Sequence, residues 1–480
     1  MKKINIEKFL FILISVVVYI AWFFIYTDVE FIYNLDEERR FVSWLGIILF
    51  LCSIKFWIDK LKNHFSLIII FLSFFFIFNF GQSLFWAFSC HAEKELGTCI
   101  TFGRELAGID IYKAQWMFII CYFMFNVGVF LKFEKNTIER TNIFSVSVEK
   151  FEIDLLFRIS LILAIFSLPA ELFVSTRNLF LSRQNSYHYL YYGASKLPVV
   201  IDIFSGLFFP SIIGLIIGSR FNKKYCIILY AVFCLDAGLK LLVGDRGEWI
   251  NKLIILLWME HTFHKRINKR TFFLIIVLSF ISMYIISAIV SMRNSGVYFY
   301  KIMENIKNSA NPFFKMIVEF GESMGITSIV ISENVIYPYG NSYLVSLLTM
   351  PTSRIGRMIF GENFLNLGRW FSKEYLQITY GADFNIIAEA VMNCGEFIAP
   401  FMLLFIGVLI GCIFKYATNT KYINYFFITI GILPILLKIV RSTSWFLFVD
   451  LFWISGVYLF MNILITNRIK WKKSCQEIYI

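Results

Sequence analysis

Charge is scarce in this sequence, and histidine is scarcer. Only 16% of the 480 residues are Asp, Glu, Lys or Arg, and five are His. None of the five falls between positions 292 and 397, the longest stretch without a continuous apolar run. A Ser-His-Asp apparatus or a His-rich metal site is therefore poorly supported there. Cysteines with zinc-type spacing are missing; most of the nine sit inside apolar runs as small hydrophobes. No P-loop and no nucleotide-binding glycine pattern is present, which speaks against an ATP-driven pump. Internal repeats and low-complexity linkers are absent. The start MKKINIEK is basic, but Phe9 to Tyr26 is long enough to span a bilayer and no small-residue cleavage site follows. The first helix is expected to be retained.

Hydrocarbon fills the rest. Hydrophobic residues make up 58% of the chain, 56 of them Phe, and the mean hydropathy is +0.69. A soluble core cannot absorb that much apolar side chain, whereas lipid can. The expected fold is an all-α polytopic membrane protein. Apolar runs at 9–26, 41–58, 65–89, 112–131, 155–174, 199–218, 225–243, 247–263, 272–291, 398–414, 423–440 and 445–465 predict about twelve transmembrane helices. The eighth is the weakest, with Asn251 and Lys252 inside it.

Lys and Arg set the orientation. Every alternate connection from the N-terminus onward is basic, from Lys2, Lys3 and Lys8 through Arg220, Lys223 and Lys224 to Arg468, Lys470, Lys472 and Lys473. That places both termini in the cytoplasm and accounts for the formal charge of +12 without nucleic acid. The chain divides into nine helices over 1–291, a long outward-facing loop over 292–397, and three helices with a basic tail over 398–480. Within the loop, FFKMIVEFGESMG and FNIIAEAVMNCGEF carry apolar residues at helical spacing and predict amphipathic helices lying on the membrane or packed over the spans. A long ordered loop of this kind is usually functional. Cys90 and Cys99 share one outward segment, CHAEKELGTC, where an oxidising compartment would favour a disulfide; the spacing alone leaves bridged and free forms open.

The outward side holds an unexpected set of cations. Lys240 and Arg246 flank the end of the seventh run, in LLVGDRGEWI; Arg293 ends the ninth, and Lys438 and Arg441 end the eleventh. Arg177 and Arg183 lie in STRNLFLSRQNSYHYLYYG, and Arg354, Arg357 and Arg369 in the long loop. Arg offers a planar fork of donors to phosphate and stays charged when partly desolvated. Plainer readings exist for each. Asp236 and Lys240 stand four apart on one helix and can neutralise each other; Arg246 can pair with Asp245 or Glu248; Arg441 can anchor at the interface. Carboxylates for general-base chemistry are Glu319, Glu322, Glu333, Asp383, Glu389 and Glu396 in the loop and Asp450 in the last span. Glu389 stands out because IIAEAVM is otherwise apolar, and desolvation would raise its pKa. A solvent-facing Glu on an amphipathic helix is the alternative.

With these features the sequence resembles the Wzy-type O-antigen polymerases. The likeness rests on the arrangement of spans and on FNFGQSLF at the end of the third, GDRGEWI after the seventh, and FLSRQNSYHYLYYG. It extends to YGADFNIIAEAVMNCGEFIAPFMLLFIGVLIG, followed later by KIVRSTSW. The resemblance implies a lipid-diphosphate-sugar-dependent glycosyltransferase of the bacterial inner membrane with its active site facing the periplasm. A glycan on undecaprenyl diphosphate would pass to a second repeat unit on the same carrier, with undecaprenyl diphosphate leaving and no cofactor or metal. Arg246, Arg293 and Arg441, then Arg183 and Arg354, would bind the diphosphate; Glu389 first and Asp383 second would be the base. Tyr187, Tyr189, Tyr191 and Trp370 could stack on sugars, against the stronger expectation of interfacial anchoring. Partners implied are the lipid-linked oligosaccharide, membrane lipid and a chain-length regulator protein. Alternatives are a lipid-oligosaccharide flippase, disfavoured by the long loop; an O-antigen ligase, for which a loop His is expected; and a plain transporter.

Overall fold

The computed structural model describes residues 6–28, 34–91, 95–133, 150–185, 189–245 apart from Lys196, 247–268, 312–378, 381–418 apart from Asp383, 423–478, and a few positions of 270–278. Every regular element among them is helical. In chain order these are α1 (Ile6–Thr27), α2 (Leu35–Leu61), α3 (Leu67–Trp86), α4 (Gly108–Lys132), α5 (Lys150–Gln184), α6 (Tyr189–Tyr192), α7 (Val199–Gly206), α8 (Phe208–Gly218), α9 (Lys223–Val243) and α10 (Gly247–Met259). There follow α11 (Pro312–Gly321), α12 (Ser323–Ser332), α13 (Ser342–Thr349), α14 (Ser353–Phe360), α15 (Leu367–Trp370), α16 (Ile386–Cys394), α17 (Ala399–Thr418), α18 (Ile423–Ile439) and α19 (Ser444–Ile478).

Among the described residues, nine segments are long and apolar enough to cross a membrane: α1 to α4, most of α5, α7 with α8, α9, α17 and the first part of α19. The remaining expected spans are less regular. α18 is apolar but short; the 247–263 run becomes α10 plus one π-turn, Glu260–His264. The 272–291 run lies mostly outside the described residues. α7 and α8 break at Leu207, and Pro210 sits in the first turn of α8, where a missing amide donor is tolerated.

Asparagine starts many of these helices. Asn34, Asn222, Asn341, Asn366 and Asn385 each accept a backbone N–H of the first turn, satisfying donors that have no helical partner. Asp36, Glu37 and Glu38 add negative charge at the positive end of α2.

Two compact units result. The first comprises Met1–Glu139, Ala310–Lys415 and Leu437–Phe446; the second comprises Arg140–Ser309, Tyr416–Leu436 and Leu447–Ile480. In the first, α2 packs on α3 and α4, and α1 on α4. The two stretches with helical spacing are helices, α11, α12 and α16. They pack over the spans: α11 lies on α3, and α12 lies between α4 and α16. α4 and α17 approach through glycine. A Cβ on Gly128 would sit 2.1 Å from the Leu404 carbonyl, and one on Gly407 2.3 Å from that of Phe125. Close backbone approach at small residues is how membrane helices gain contact when lipid supplies no hydrophobic drive. In the second unit α5 is the spine, contacting α7, α8 and α9; Gly214 and Gly218 of α8 leave room for Ser160 and Phe157 of α5.

Candidate active site

The loop helices of the first unit are held by buried polar side chains. Asn385, fully buried, caps α16 by accepting the Ala388 amide at 2.7 Å. Its amide nitrogen donates to the Ser323 carbonyl (2.6 Å) and the Thr327 hydroxyl (3.0 Å) of α12. Gln82, 1% exposed in α3, donates to the Val318 carbonyl of α11 at 2.8 Å and accepts the Leu96 amide at 2.9 Å. Asn79 donates to the Val440 carbonyl at 3.2 Å. The FNFGQSLF stretch is thus a joint between α3, α11 and the end of α18. Gly81 and Gly321 permit it, since a Cβ on Gly321 would meet the Gln82 amide at 2.5 Å. The Cys90 and Cys99 thiols are not joined; they contact the Phe88 and Glu95 carbonyls respectively.

One turn of α16 further on lies Glu389, 1% exposed. Its Oε1 accepts the hydroxyls of Ser342 and Ser444, both at 2.7 Å, and its Oε2 accepts the Ser444 amide at 2.8 Å. Asn393, four residues on, donates to the Ser342 hydroxyl at 2.8 Å and accepts the Ser342 amide at 2.7 Å. The solvent-facing alternative is thereby set aside. Burial pushes the Glu389 carboxyl above its ordinary value, and the hydrogen bonds from Ser444 and Ser342 pull partly against it. A carboxylate offers about four lone-pair sites. The three bonds to Ser342 and Ser444 leave one site, on Oε2. The phenol of Tyr343 is also pushed up by burial, helped by the charge of Glu389.

Ser444 follows the turn that carries Arg441. The Arg441 amide donates to the Lys438 carbonyl at 2.9 Å. Its guanidinium carbon lies 5.4 Å from the ring centre of Phe78 and 5.8 Å from that of Phe320. Aromatic faces hold a guanidinium in place without cancelling its charge. Glu389 thus bonds Ser444, three residues past Arg441, and joins α13, α16 and the start of α19.

The other residues singled out fall elsewhere. Arg354, on α14, and Arg183, near the end of α5 in the second unit, are exposed. Arg246, Arg293, Asp383 and Tyr187 lie outside the described residues. Tyr189 is exposed; Trp370 is half-buried, its ring centre 5.3 Å from that of Tyr337 and 5.6 Å from that of Tyr375. Arg177 donates to Ser195. The Asp236–Lys240 pairing holds, at 3.3 Å, but Lys240 also reaches Glu171 and Glu248. Among the described residues no group of three or more His, Cys, Asp or Glu could hold a metal ion.

The model of one family, O-antigen polysaccharide polymerase Wzy, matches residues 7–474, nearly the whole chain, which therefore belongs to that family. No curated protein and no solved structure matches it.

Proposed function

We propose that this member of the O-antigen polymerase family joins repeat units carried on undecaprenyl diphosphate, at the outward face of the inner membrane. Both termini lie in the cytoplasm on this reading. The acceptor sugar hydroxyl attacks the anomeric carbon of the growing glycan. A C–O glycosidic bond forms, the bond from that carbon to the diphosphate oxygen breaks, and undecaprenyl diphosphate leaves with the electron pair. The hydroxyl proton passes to a carboxylate.

Arg441 supplies positive charge to the departing diphosphate, with Arg354 as a further contact; Arg246, Arg293 and Arg183 keep the diphosphate role that the resemblance implies. Glu389 holds the Arg441 turn through Ser444, and its remaining lone pair on Oε2 makes it our first choice for the base; Asp383 is the second. Trp370 offers a ring face for a sugar. The observation that carries this reading is the bonding of a buried carboxylate to Ser444, three residues after Arg441. A preorganised cation beside developing charge is worth roughly 3–4 kcal/mol of barrier.

The test is complementation. A host that makes the matching repeat unit but lacks its polymerase receives the chain, and its lipopolysaccharide is run on a gel. The wild-type chain is expected to restore a ladder and Arg441→Ala, at equal membrane abundance, to leave a single repeat. A wild-type chain that leaves only single repeats contradicts the reading.

A further inference from the structure

The two faces of α13 are reversed from those of a helix in water. Ser342, Ser346 and Thr349 are buried, and Ser342 donates to Glu389 of α16 at 2.7 Å. Leu344, Leu347 and Leu348, three and four residues apart on the other face, are 61%, 45% and 53% exposed. A helix surrounded by water turns its apolar stripe inward. Polar side chains packed inward with leucines outward suit a helix surrounded by hydrocarbon.

The first turn of α13 is finished to match. The Ser342 amide donates to the Asn393 side-chain oxygen at 2.7 Å. The Tyr343 and Leu344 amides donate to that of Asn341 at 3.1 and 3.3 Å. These donors have no helical partner; water would satisfy them on a wet surface, whereas in lipid each needs an acceptor from the protein.

Its neighbours put α13 at the level of span ends. Glu389, which Ser342 bonds, also bonds Ser444, the first residue of α19 and the start of a segment able to cross a membrane. α16 ends at Cys394, and a second such segment, α17, begins at Ala399. Beyond Pro351, α14 reads SRIGRMIF, with Arg354 and Arg357 exposed beside exposed Met358 and Ile359 and no acid in the helix. A leucine face alone would fit a protein as well as a lipid. The paired amides and the purely cationic charge of α14 favour lipid, whose headgroup phosphates attract arginine.

We propose that α13 is seated in the bilayer, with Leu344, Leu347 and Leu348 on phospholipid acyl chains and Arg354 and Arg357 at the level of the headgroup phosphates. A diphosphate on a lipid carrier stands at that same level. The leaflet meant, the outward one, rests on the function proposed above. Because Ser342 of the same helix bonds Glu389, hydrocarbon reaches to within one helix of the candidate base.

Photolabelling tests the seat. Benzoylphenylalanine replaces Leu344 in one full-length chain and Leu347 in another; both side chains are exposed, so little packing is lost. A third chain carries it at Phe405 of α17, 52% exposed, as the positive control. Each is placed in liposomes of phosphatidylethanolamine and phosphatidylglycerol, irradiated, and weighed intact by mass spectrometry. All three are expected to gain the mass of one phospholipid. An adduct at 405 but at neither 344 nor 347 overturns the seat, as does a cross-link from 344 or 347 to a second copy of the chain. Labelling needs no turnover. A chain that labels but does not polymerise keeps the seat and loses the proposed function; one that polymerises without labelling at 344 and 347 does the reverse.

Discussion

Replacing Glu389 separates its two proposed roles. Its carboxylate takes three donors: the Ser342 hydroxyl, the Ser444 hydroxyl and the Ser444 amide. In Glu389→Ala all three donors lose their acceptor, although the Ser342 oxygen still accepts from Asn393 at 2.8 Å. At about 1–3 kcal/mol for each buried donor left unsatisfied, the three cost about 3–9 kcal/mol. That is a large fraction of the roughly 5–15 kcal/mol by which folded domains exceed their unfolded state. Membrane abundance should fall sharply. Glu389→Gln differs. Its carbonyl can keep both hydroxyls, which leaves its NH2 facing the Ser444 amide, so one donor loses its acceptor. With one donor orphaned, stability should fall by about 1–3 kcal/mol, less than in Glu389→Ala. A neutral amide cannot take the acceptor proton, however, so turnover should drop by roughly 10²–10⁴-fold. Quantitative blotting of membranes gives the first quantity and a polymerisation time course the second. Wild-type turnover in Glu389→Gln would refute the base role and leave Glu389 as a tether. Full abundance of Glu389→Ala would refute the hydrogen-bond reasoning itself.

Further expectations concern the same assembly and its frame. Arg441→Ala should lose roughly 10²–10³-fold in turnover, whereas Arg441→Lys, which keeps the charge but not the planar fork, should fall between the two; single-turnover rates at matched protein measure both. Burial holds the Glu389 carboxyl above its ordinary value of 4.5. A base works when deprotonated, so the rate should climb with pH through that raised value, and Glu389→Gln should abolish the acid limb of the profile. Linkage has the matching sign. The folded state keeps the proton where the unfolded state has released it, so this contribution to stability is complete below 4.5 and is lost as pH rises through the folded value. Gly128→Val would drive a side chain into the Leu404 carbonyl. Overpacking of this kind costs about 1–3 kcal/mol or more and should lower abundance without altering turnover per folded molecule; a wild-type level of Gly128→Val would contradict the α4–α17 contact.

Much of this architecture can be read from local pattern, because lipid imposes long apolar runs on any helix that crosses it. Asp236 and Lys240, four apart on one helix, are a pair the spacing itself suggests. Glu389 is visible as one charge in an apolar segment. Its partners are not visible: Ser342 and Ser444 lie 47 and 55 residues away along the chain. No short-range periodicity links a serine in NSYLV to another in RSTSW. Glu171 escapes notice for the same reason, being 69 residues from Lys240, although a lone acid two positions after Pro169 in an apolar helix is a signal worth following. Asn79 and Gln82 within α3 and Asn385 at the start of α16 are polar residues ordinary in sequence. Only tertiary packing turns them into joints between the spans and the loop helices.

Chemistry can be followed directly by counting products. The purified chain in liposomes, given lipid-linked repeat units as sole substrate and no nucleotide sugar, should lengthen the glycan. It should release undecaprenyl diphosphate in equal amount to the glycosidic bonds formed, and Arg441→Ala should suppress both together. Lengthening without release of the diphosphate, or no lengthening by the wild-type chain under conditions where it is folded, would contradict the mechanism.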